Sequence, residues 1–277
     1  MEQDRVSRAR TFLNAHGRDL DRARFEFHFA GGSQAALLDA LGQYQNEDGG
    51  FGHALEVDIS ALDSNPFATE LALLTCLWAG VPPDASLLQR AAAYLERTQT
   101  LDGDWRFSEA TLAGEIAPWF AHWEWPNLNP ACTTAAVARQ LGLGSPALHQ
   151  RVADLFGRMA RIDDITGGDF YAVRPYAYYV LADTPHPQRE LYRDAVVEWL
   201  LQQHRDDAQD GNHFFEYVRT PGSPIAQRLP ADVLHERLDR LATEQSDDGG
   251  WPSPYNPAWR PWVTTQNLLV LQAFGTV

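Results

Sequence analysis

Two carboxylates separated by one residue, Glu56 and Asp58, lie in the segment HALEVDISALDSNP, which starts at His53. Acids this close beside a dry cavity repel each other, which raises the pKa of one and leaves a general acid beside an ionised neighbour. We therefore predict that Glu56, Asp58 and the nearby Asp63 carry catalysis, and that His53 contacts the substrate. The alternative is that the acids only shape the loop, cap a helix or bind a cation, because residues i and i+2 of an extended loop point to the same side in any case.

A second segment, APWFAHWEWPNLNP, concentrates large aromatic side chains in a few residues. Trp119, Trp123 and Trp125 are predicted to contact the substrate, because aromatic ring faces stabilise cationic intermediates and also stack on sugar rings. The alternative is that this segment plugs a cavity and completes the core.

Further predicted substrate contacts come from segments with helical patterns: His28, Tyr171, Arg174, Tyr178, Trp259, Arg260 and Trp262. Arg174 and Arg260 are able to bind a diphosphate or a carboxylate through two parallel hydrogen bonds. Each arginine has the alternative of a structural ion pair, and His28 that of a hydrogen-bonded core histidine.

Three turns of one pattern must position these residues. Gln45 begins QNEDGGFG, Gln99 begins QTLDGDW and Gln245 begins QSDDGGW. Their spacing fits a period of roughly 50 residues, which is typical of a repeat architecture. The Gln is predicted to bind carbonyls at a helix end, and the Gly to supply the positive φ with which the chain reverses.

Amphipathic and wholly apolar segments alternate between these turns. The segments with one apolar side are 36–44, 87–95, 152–159, 191–199, 233–241 and, more weakly, 4–16. The wholly apolar segments are 71–80, 132–144, 170–182 and 263–275, with shorter ones at 21–29 and 213–218. A helix without a polar face must be covered on both sides. We therefore predict one all-α domain over residues 1–277, an (α/α)6 toroid of about six helical hairpins with a central cavity; an open α-solenoid is the alternative.

The turns resemble the QW-type motif of the squalene-hopene cyclase and protein prenyltransferase superfamily, and the resemblance extends over nearly the whole chain. It implies a small stand-alone terpenoid cyclase-like protein whose turns lie on the outside of a ring of helical hairpins. In class II cyclases of this family, the motif Asp-x-Asp-Asp-Thr-Ala lies at the cavity end of an inner helix. Alignment on Thr69 puts Asn65, Phe67 and Ala68 at the family's acidic positions, so the family's own acids are missing here.

No metal ion or cofactor is predicted. Asp206, Asp207 and Asp210 match the DDxxD motif of class I terpene synthases, but they fall in a degenerate copy of the turn. Neither cysteine follows an Asp as a zinc-dependent prenyltransferase requires. The chain also lacks phosphate-binding glycine loops and nucleophile motifs.

Composition limits the partners. A formal net charge of -15 argues against nucleic acid and anionic membrane surfaces. The N-terminal residues are polar, and the longest apolar run, from Leu71 to Val81, is too short for a transmembrane segment. Two cysteines in apolar segments suggest a reduced, cytoplasmic protein.

The resemblance and the many aromatic residues favour the first of three functions, and the other two are alternatives. The first is an isoprenoid-handling enzyme that starts cyclisation or isomerisation by protonation inside an aromatic-lined cavity. The second is a carbohydrate-active toroid, a lyase, hydrolase or epimerase, since paired acids and Trp also suit sugars. The third is a non-catalytic toroid that binds a hydrophobic ligand. The oligomeric state is left open.

Overall fold

A computed structural model describes residues 2–182, 184, 186–206, 211–253 and 255–276. The α-helices in chain order are α1 (Glu2–His16), α2 (Asp19–Phe29), α3 (Gln34–Gly42), α4 (Pro66–Trp78), α5 (Ser86–Thr98), α6 (Glu109–Ala113), α7 (Pro118–Ala121), α8 (Leu128–Gln140), α9 (Pro146–Met159), α10 (Ile162–Thr166), α11 (Phe170–Leu181), α12 (Arg189–Arg205), α13 (Gly211–Tyr217), α14 (Ala231–Thr243) and α15 (Arg260–Ala273). Two short 3-10 helices span Ala226–Arg228 and Pro257–Trp259. Within the described ranges the regular structure is helical, which confirms the predicted all-α class. None of the helices in these ranges combines the length and the apolarity that crossing a membrane requires.

The alternation predicted from the apolar patterns is present in the helices. The amphipathic segments form α1, α3, α5, α9, α12 and α14. The wholly apolar segments form α2, α4, α8, α11, α13 and α15. The short helices α6 and α7 lie in the long link between α5 and α8, and α10 precedes α11.

Local capping explains where two of the apolar helices begin. The Asn65 side chain accepts a hydrogen bond from the Ala68 N–H, and Pro66 occupies the first helical turn of α4. The Asp169 side chain accepts a hydrogen bond from the Ala172 N–H and caps α11 in the same way. The helix starts near the predicted site are therefore fixed by their own sequence.

The chain divides into two compact units. One unit is Leu41–Tyr192, and the other combines Met1–Ala40 with Arg193–Val277. The boundaries fall inside α3 and α12. The single domain predicted over residues 1–277 stays a prediction.

In the unit Leu41–Tyr192, three apolar helices form the centre. Helix α8 packs against both α4 and α11. Side chains are buried continuously from Pro66 to Cys76 in α4 and from Leu128 to Ala138 in α8. A helix buried on every side needs neighbours all round it, and this explains why these segments have no polar face.

The other unit joins the two ends of the chain. Helix α15 packs against α1, α2, α13 and α14. The first and last helices therefore share one core.

The three Gln turns form the same pair of hydrogen bonds. In each turn the Gln Nε2 donates to the carbonyl of the residue four positions later, which is Gly49, Gly103 or Gly249. The same Nε2 also donates to a carbonyl in another amphipathic helix: Leu87 of α5, Leu148 of α9 or Arg5 of α1. The predicted acceptors, carbonyls at the end of the helix before the Gln, are therefore wrong: one acceptor lies in the turn itself and the other near the start of a separate helix.

Close packing explains the glycine of these turns, and burial with a hydrogen bond explains the tryptophan in two of them. Gly103 has φ 99°, and a Cβ there would overlap the carbonyl oxygen of Arg151. Trp105 and Trp251 are buried and donate their Nε1–H to the carbonyls of Leu95 and Leu241 at 2.9 and 2.8 Å. These turns are structural elements that fasten one helix to the next.

Candidate functional site

The loop that carries Glu56 is folded into tight turns and is not extended as the i, i+2 argument assumed. The Leu55 N–H donates to the Gly52 carbonyl and the Ile59 N–H donates to the Glu56 carbonyl, both at 3.0 Å. His53 and Ala54 have positive φ values of 55° and 56°, a region that costs a non-glycine residue roughly 1–2 kcal/mol. The turns direct Leu55 and Glu56 into the interior.

The Glu56 carboxyl is buried among other ionisable groups. Glu56 is 9% exposed, and its Oε1 accepts a hydrogen bond from the Asp58 N–H at 3.3 Å. Burial, followed by the negative charge of Asp58, raises the pKa of Glu56 from 4.5 to about 8. The hydrogen bond and Arg174 oppose this rise, and Glu70 adds to it. At neutral pH this carboxyl is mainly protonated and able to donate a proton.

Arg174 connects the three apolar helices near this acid. Its Nη2 lies 2.6 Å from Oε1 of Glu70, a 3% exposed residue of α4. Its Nη1 donates to the Thr133 Oγ1 of α8 at 3.5 Å, and its guanidinium lies 5.1 Å from the ring centre of Tyr178. The two predicted substrate contacts Arg174 and Tyr178 therefore lie together, and Arg174 is engaged in a buried ion pair.

The two long links are joined by backbone hydrogen bonds. The Ala117 N–H donates to the Asp58 carbonyl at 2.8 Å, and the Ser60 N–H donates to the Glu115 carbonyl at 2.9 Å. Ile59 and Ile116 form an isolated antiparallel bridge between these bonds. The acid-bearing link and the aromatic link are thus brought side by side.

An aromatic cluster lies along this junction. Its buried members are Ile59, Ala61, Phe67, Phe107 and Phe120, and Ile116, Ala117, Trp123 and Trp125 pack against them. Phe67, from the first turn of α4, has its ring centre 4.7 Å from that of Phe120 and 5.1 Å from that of Trp123. The Trp125 ring meets Phe107 edge to face at 5.6 Å. Two of the three predicted tryptophans therefore join the cluster, whereas Trp119 is 45% exposed.

Other predicted residues of this unit lie at its surface. His53 is exposed, and its Nε2 lies 2.9 Å from the Asn46 Oδ1, so it supports the first Gln turn. Asp63 is exposed, and Tyr171 is 42% exposed with its ring against Phe170. The structure does not bring these three to Glu56.

His28, Trp259, Arg260 and Trp262 belong to the other unit. The Arg260 Nη2 donates to the Asp248 Oδ1 of the third turn at 2.8 Å, and this pairing lowers the pKa of Asp248. Its Nε donates to the Trp251 carbonyl at 3.1 Å. Arg260 therefore has the structural partner that the sequence offered as its alternative.

The rest of this group surrounds a buried arginine. The Arg24 guanidinium lies 3.4 Å from the ring centre of Trp262, and the Trp259 ring meets Trp262 edge to face at 6.3 Å. Burial, with the positive charges of Arg24 and Arg219, lowers the pKa of His28 to about 4. His28 is therefore neutral at physiological pH.

Sequence reasoning missed Glu70, Thr133, Phe67 and Phe107 as members of the site. Glu70 could have been found from the sequence, since a carboxylate in an apolar helix is rarely buried unless it is paired. Phe67 and Phe107 resemble ordinary core residues in the sequence, and only their neighbours distinguish them.

Among the described residues no group of three or more His, Cys, Asp or Glu is arranged to hold a metal ion. Asp207 and Asp210 of the DDxxD match lie outside the described residues. Neither a scan against protein-family models nor a search of curated proteins finds a match to this chain.

Proposed function

We propose that the chain is a terpenoid cyclase-like enzyme that protonates an uncharged isoprenoid and thereby starts its cyclisation or isomerisation. The observation that carries the proposal is the buried Glu56 carboxyl, whose pKa is raised to about 8 by burial and by Asp58 and which lies on the loop that also supplies Ile59 to the aromatic cluster. A loop that carries a buried acid and also packs against aromatic rings offers an acid together with rings able to stabilise a cation.

The reaction is balanced within the substrate and Glu56. The Glu56 O–H bond breaks, its proton forms a C–H bond at one carbon of an alkene, and the other carbon becomes a carbocation. A second alkene then supplies its π electrons for a ring-forming C–C bond, or the cation moves without ring closure. Loss of a proton from carbon to a base, or addition of water with loss of a proton, ends the sequence without any net oxidation. Glu56 finally regains a proton from solvent.

Asp58 and the aromatic cluster have distinct roles in this scheme. The half-buried Asp58 raises the pKa of Glu56 by its charge, and it is more exposed than Glu56, which suits it to pass a proton from solvent back to that carboxylate. Phe67, Trp123 and Trp125 offer ring faces and edges near the acid-bearing loop, and the faces stabilise a passing carbocation.

The charges near Glu56 favour a substrate without a phosphate group. Asp58 and Glu70 are carboxylates, and Arg174 is already paired with Glu70 at 2.6 Å. A diphosphate brought to this position would meet net negative charge.

We also propose that six amphipathic–apolar helix pairs close into the (α/α)6 toroid implied by the resemblance. The supporting observation is the repeated Gln bond. In the turn after α14, Gln245 binds Arg5 of α1, just as Gln45 binds Leu87 of α5. A chain whose last turn binds its first helix through the bond used between internal helices is consistent with a closed ring.

The proposal is tested by incubating the purified protein with a panel of neutral polyprenes and prenols, prenyl diphosphates and oligosaccharides, in D2O, with product analysis by mass spectrometry. We expect a neutral isoprenoid to be converted to an isomer or a hydrate that carries one deuterium on carbon. Glu56→Gln should lower turnover at least about 100-fold, the usual contribution of a general acid, with the circular dichroism spectrum unchanged. Glu115→Gln, an exposed acid on the facing link, is the matched control and should be fully active. Full activity of Glu56→Gln, or turnover of oligosaccharides alone, would overturn the proposal.

A further inference from the structure

Arg174 places a positive charge in the buried region between α4, α8 and α11, and this charge needs an explanation. It lies on α11 with a side chain only 12% exposed, and its guanidinium contacts a carboxylate of α4 and a hydroxyl of α8. A buried ion pair seldom contributes much net stability, because both charges must first lose their water. A structural role alone therefore gives little reason for an arginine and a glutamate where α4, α8 and α11 pack together.

The charges that act on Glu56 give that reason. Three charged groups act on Glu56: Asp58 from its own loop, Glu70 from α4 and Arg174 from α11. Two of these groups repel a negative charge at Glu56, and Arg174 attracts it. When Glu56 gives up its proton, a third carboxylate appears in a buried site that already holds two.

We infer that Arg174 is a positioning residue for the acid, held by Glu70 and Thr133 where its charge stabilises the carboxylate that Glu56 becomes after proton transfer. The inference rests on the proposed function, because it assigns Arg174 a role only if Glu56 is the proton donor. It differs from the substrate-contact role predicted from the sequence, in which Arg174 would bind an anionic group of the ligand.

The two contacts that Arg174 makes with Glu70 and Thr133 suit this role. Glu70 and Thr133 contact two different nitrogens of the guanidinium, Nη2 and Nη1. A planar guanidinium that is contacted at two nitrogens keeps one orientation, whereas the single nitrogen of an ammonium group does not fix an orientation in this way. Glu70 therefore orients the cation, even though its own negative charge makes Glu56 less acidic.

The test is a direct titration of Glu56. The infrared band of its protonated carboxyl is isolated as the difference between the wild-type protein and Glu56→Gln, and its intensity is followed with pH. Arg174→Gln should raise the Glu56 midpoint by roughly one pH unit, the lower end of the effect of a nearby opposite charge. In the activity assay the same variant should lower kcat and leave KM unchanged, and Arg174→Lys should restore part of kcat.

A paired comparison guards against misfolding of Arg174→Gln, which leaves Glu70 buried without its arginine. Glu70→Gln should lower the Glu56 midpoint, and Glu70→Gln combined with Arg174→Gln should raise it again by roughly one pH unit relative to Glu70→Gln. Arg97→Gln is the matched control, since Arg97 binds the Asp48 carbonyl in the first Gln turn and should leave the midpoint unchanged.

Two results would overturn the inference. One is an unchanged Glu56 midpoint when Arg174 is removed in either background. The other is a raised KM with an unchanged midpoint, which would make Arg174 a substrate-binding residue. Both leave the acid role of Glu56 intact, because that role fails separately, through full turnover by Glu56→Gln.

Discussion

The buried Glu56 carboxyl should make the protein less stable as the pH rises. Its pKa is raised to about 8 in the folded state from an ordinary value of 4.5. Between these two values the folded protein holds a proton that the unfolded chain has released. Linkage then requires the free energy of unfolding to fall with increasing pH across this window and to level off above it.

The size of the fall follows from the two pKa values. Each pH unit of difference corresponds to about 1.4 kcal/mol, so the full decline is on the order of 5 kcal/mol between pH 4.5 and 8. The histidines act in the opposite direction. Burial lowers the pKa of His28 to about 4 and also lowers those of His149 and His186. Each of these makes the unfolded chain bind more protons below its unfolded pKa, so stability from this source increases with pH.

A variant separates the two contributions. We expect the difference in unfolding free energy between wild type and Glu56→Gln to change by several kcal/mol from pH 4.5 to 8.5, because the histidine contributions cancel in that difference. Asp58→Asn should move the upper end of the window to lower pH, since it removes the second-largest cause of the raised pKa. Glu115→Gln, exposed on the neighbouring link, should follow the wild-type curve.

The measurement is urea unfolding at a series of pH values, with fluorescence and circular dichroism required to give coincident transitions. A wild-type minus Glu56→Gln difference that stays flat within about 1 kcal/mol over the window would refute the reasoning. Glu56 would then ionise with an ordinary pKa, and a protonated acid at neutral pH would have no basis.

The remaining predictions concern the turns. Gln245→Ala removes the hydrogen bonds to Gly249 and Arg5 and should lower the unfolding free energy by roughly 1–2 kcal/mol. The control Gln227→Ala, at an exposed position, should change the unfolding free energy little. Equal effects of the two substitutions would show that the two hydrogen bonds are unimportant. Gly103→Ala should cost more than about 2 kcal/mol, because φ is positive and the new Cβ would overlap the Arg151 carbonyl. Gly157→Ala, in open space within α9, should instead stabilise by roughly 0.5–1 kcal/mol, and thermal unfolding of both variants measures the contrast.

Much of the fold follows from local patterns. A stripe of apolar residues predicted α5, α9 and α14, and the absence of polar residues predicted α4 and α15. These patterns depend on which side of each helix is buried, and this is a property of the segment itself. The Gln turn was predicted for the same reason, but its two acceptors were not, since one is a carbonyl within the turn and the other belongs to a helix distant in the sequence.

The candidate site was predicted only where its residues are near one another in the chain. Glu56 and Asp58 are two residues apart, so their mutual repulsion follows from the sequence. The pairing of Glu70 with Arg174 depends on how α4, α8 and α11 pack, and no local pattern specifies that packing. The direction of each turn is also invisible in the sequence, which is why Asp63 was grouped with two acids that lie deeper than it does.

The repeats themselves offer a rule that finds Glu70. Helices α4, α8 and α15 begin with the same pattern, Pro, two variable residues and Thr, at Thr69, Thr133 and Thr264. The hydroxyl oxygens of Thr69 and Thr264 accept the backbone N–H of the turn aromatics Phe51 and Trp251 at 3.2 and 3.0 Å, so this Thr has a structural role in both helices. The next residue is Thr in α8 and α15 but Glu in α4. Glu70 is therefore the position at which α4 departs from the shared start of these helices, and it is the residue that pairs with Arg174.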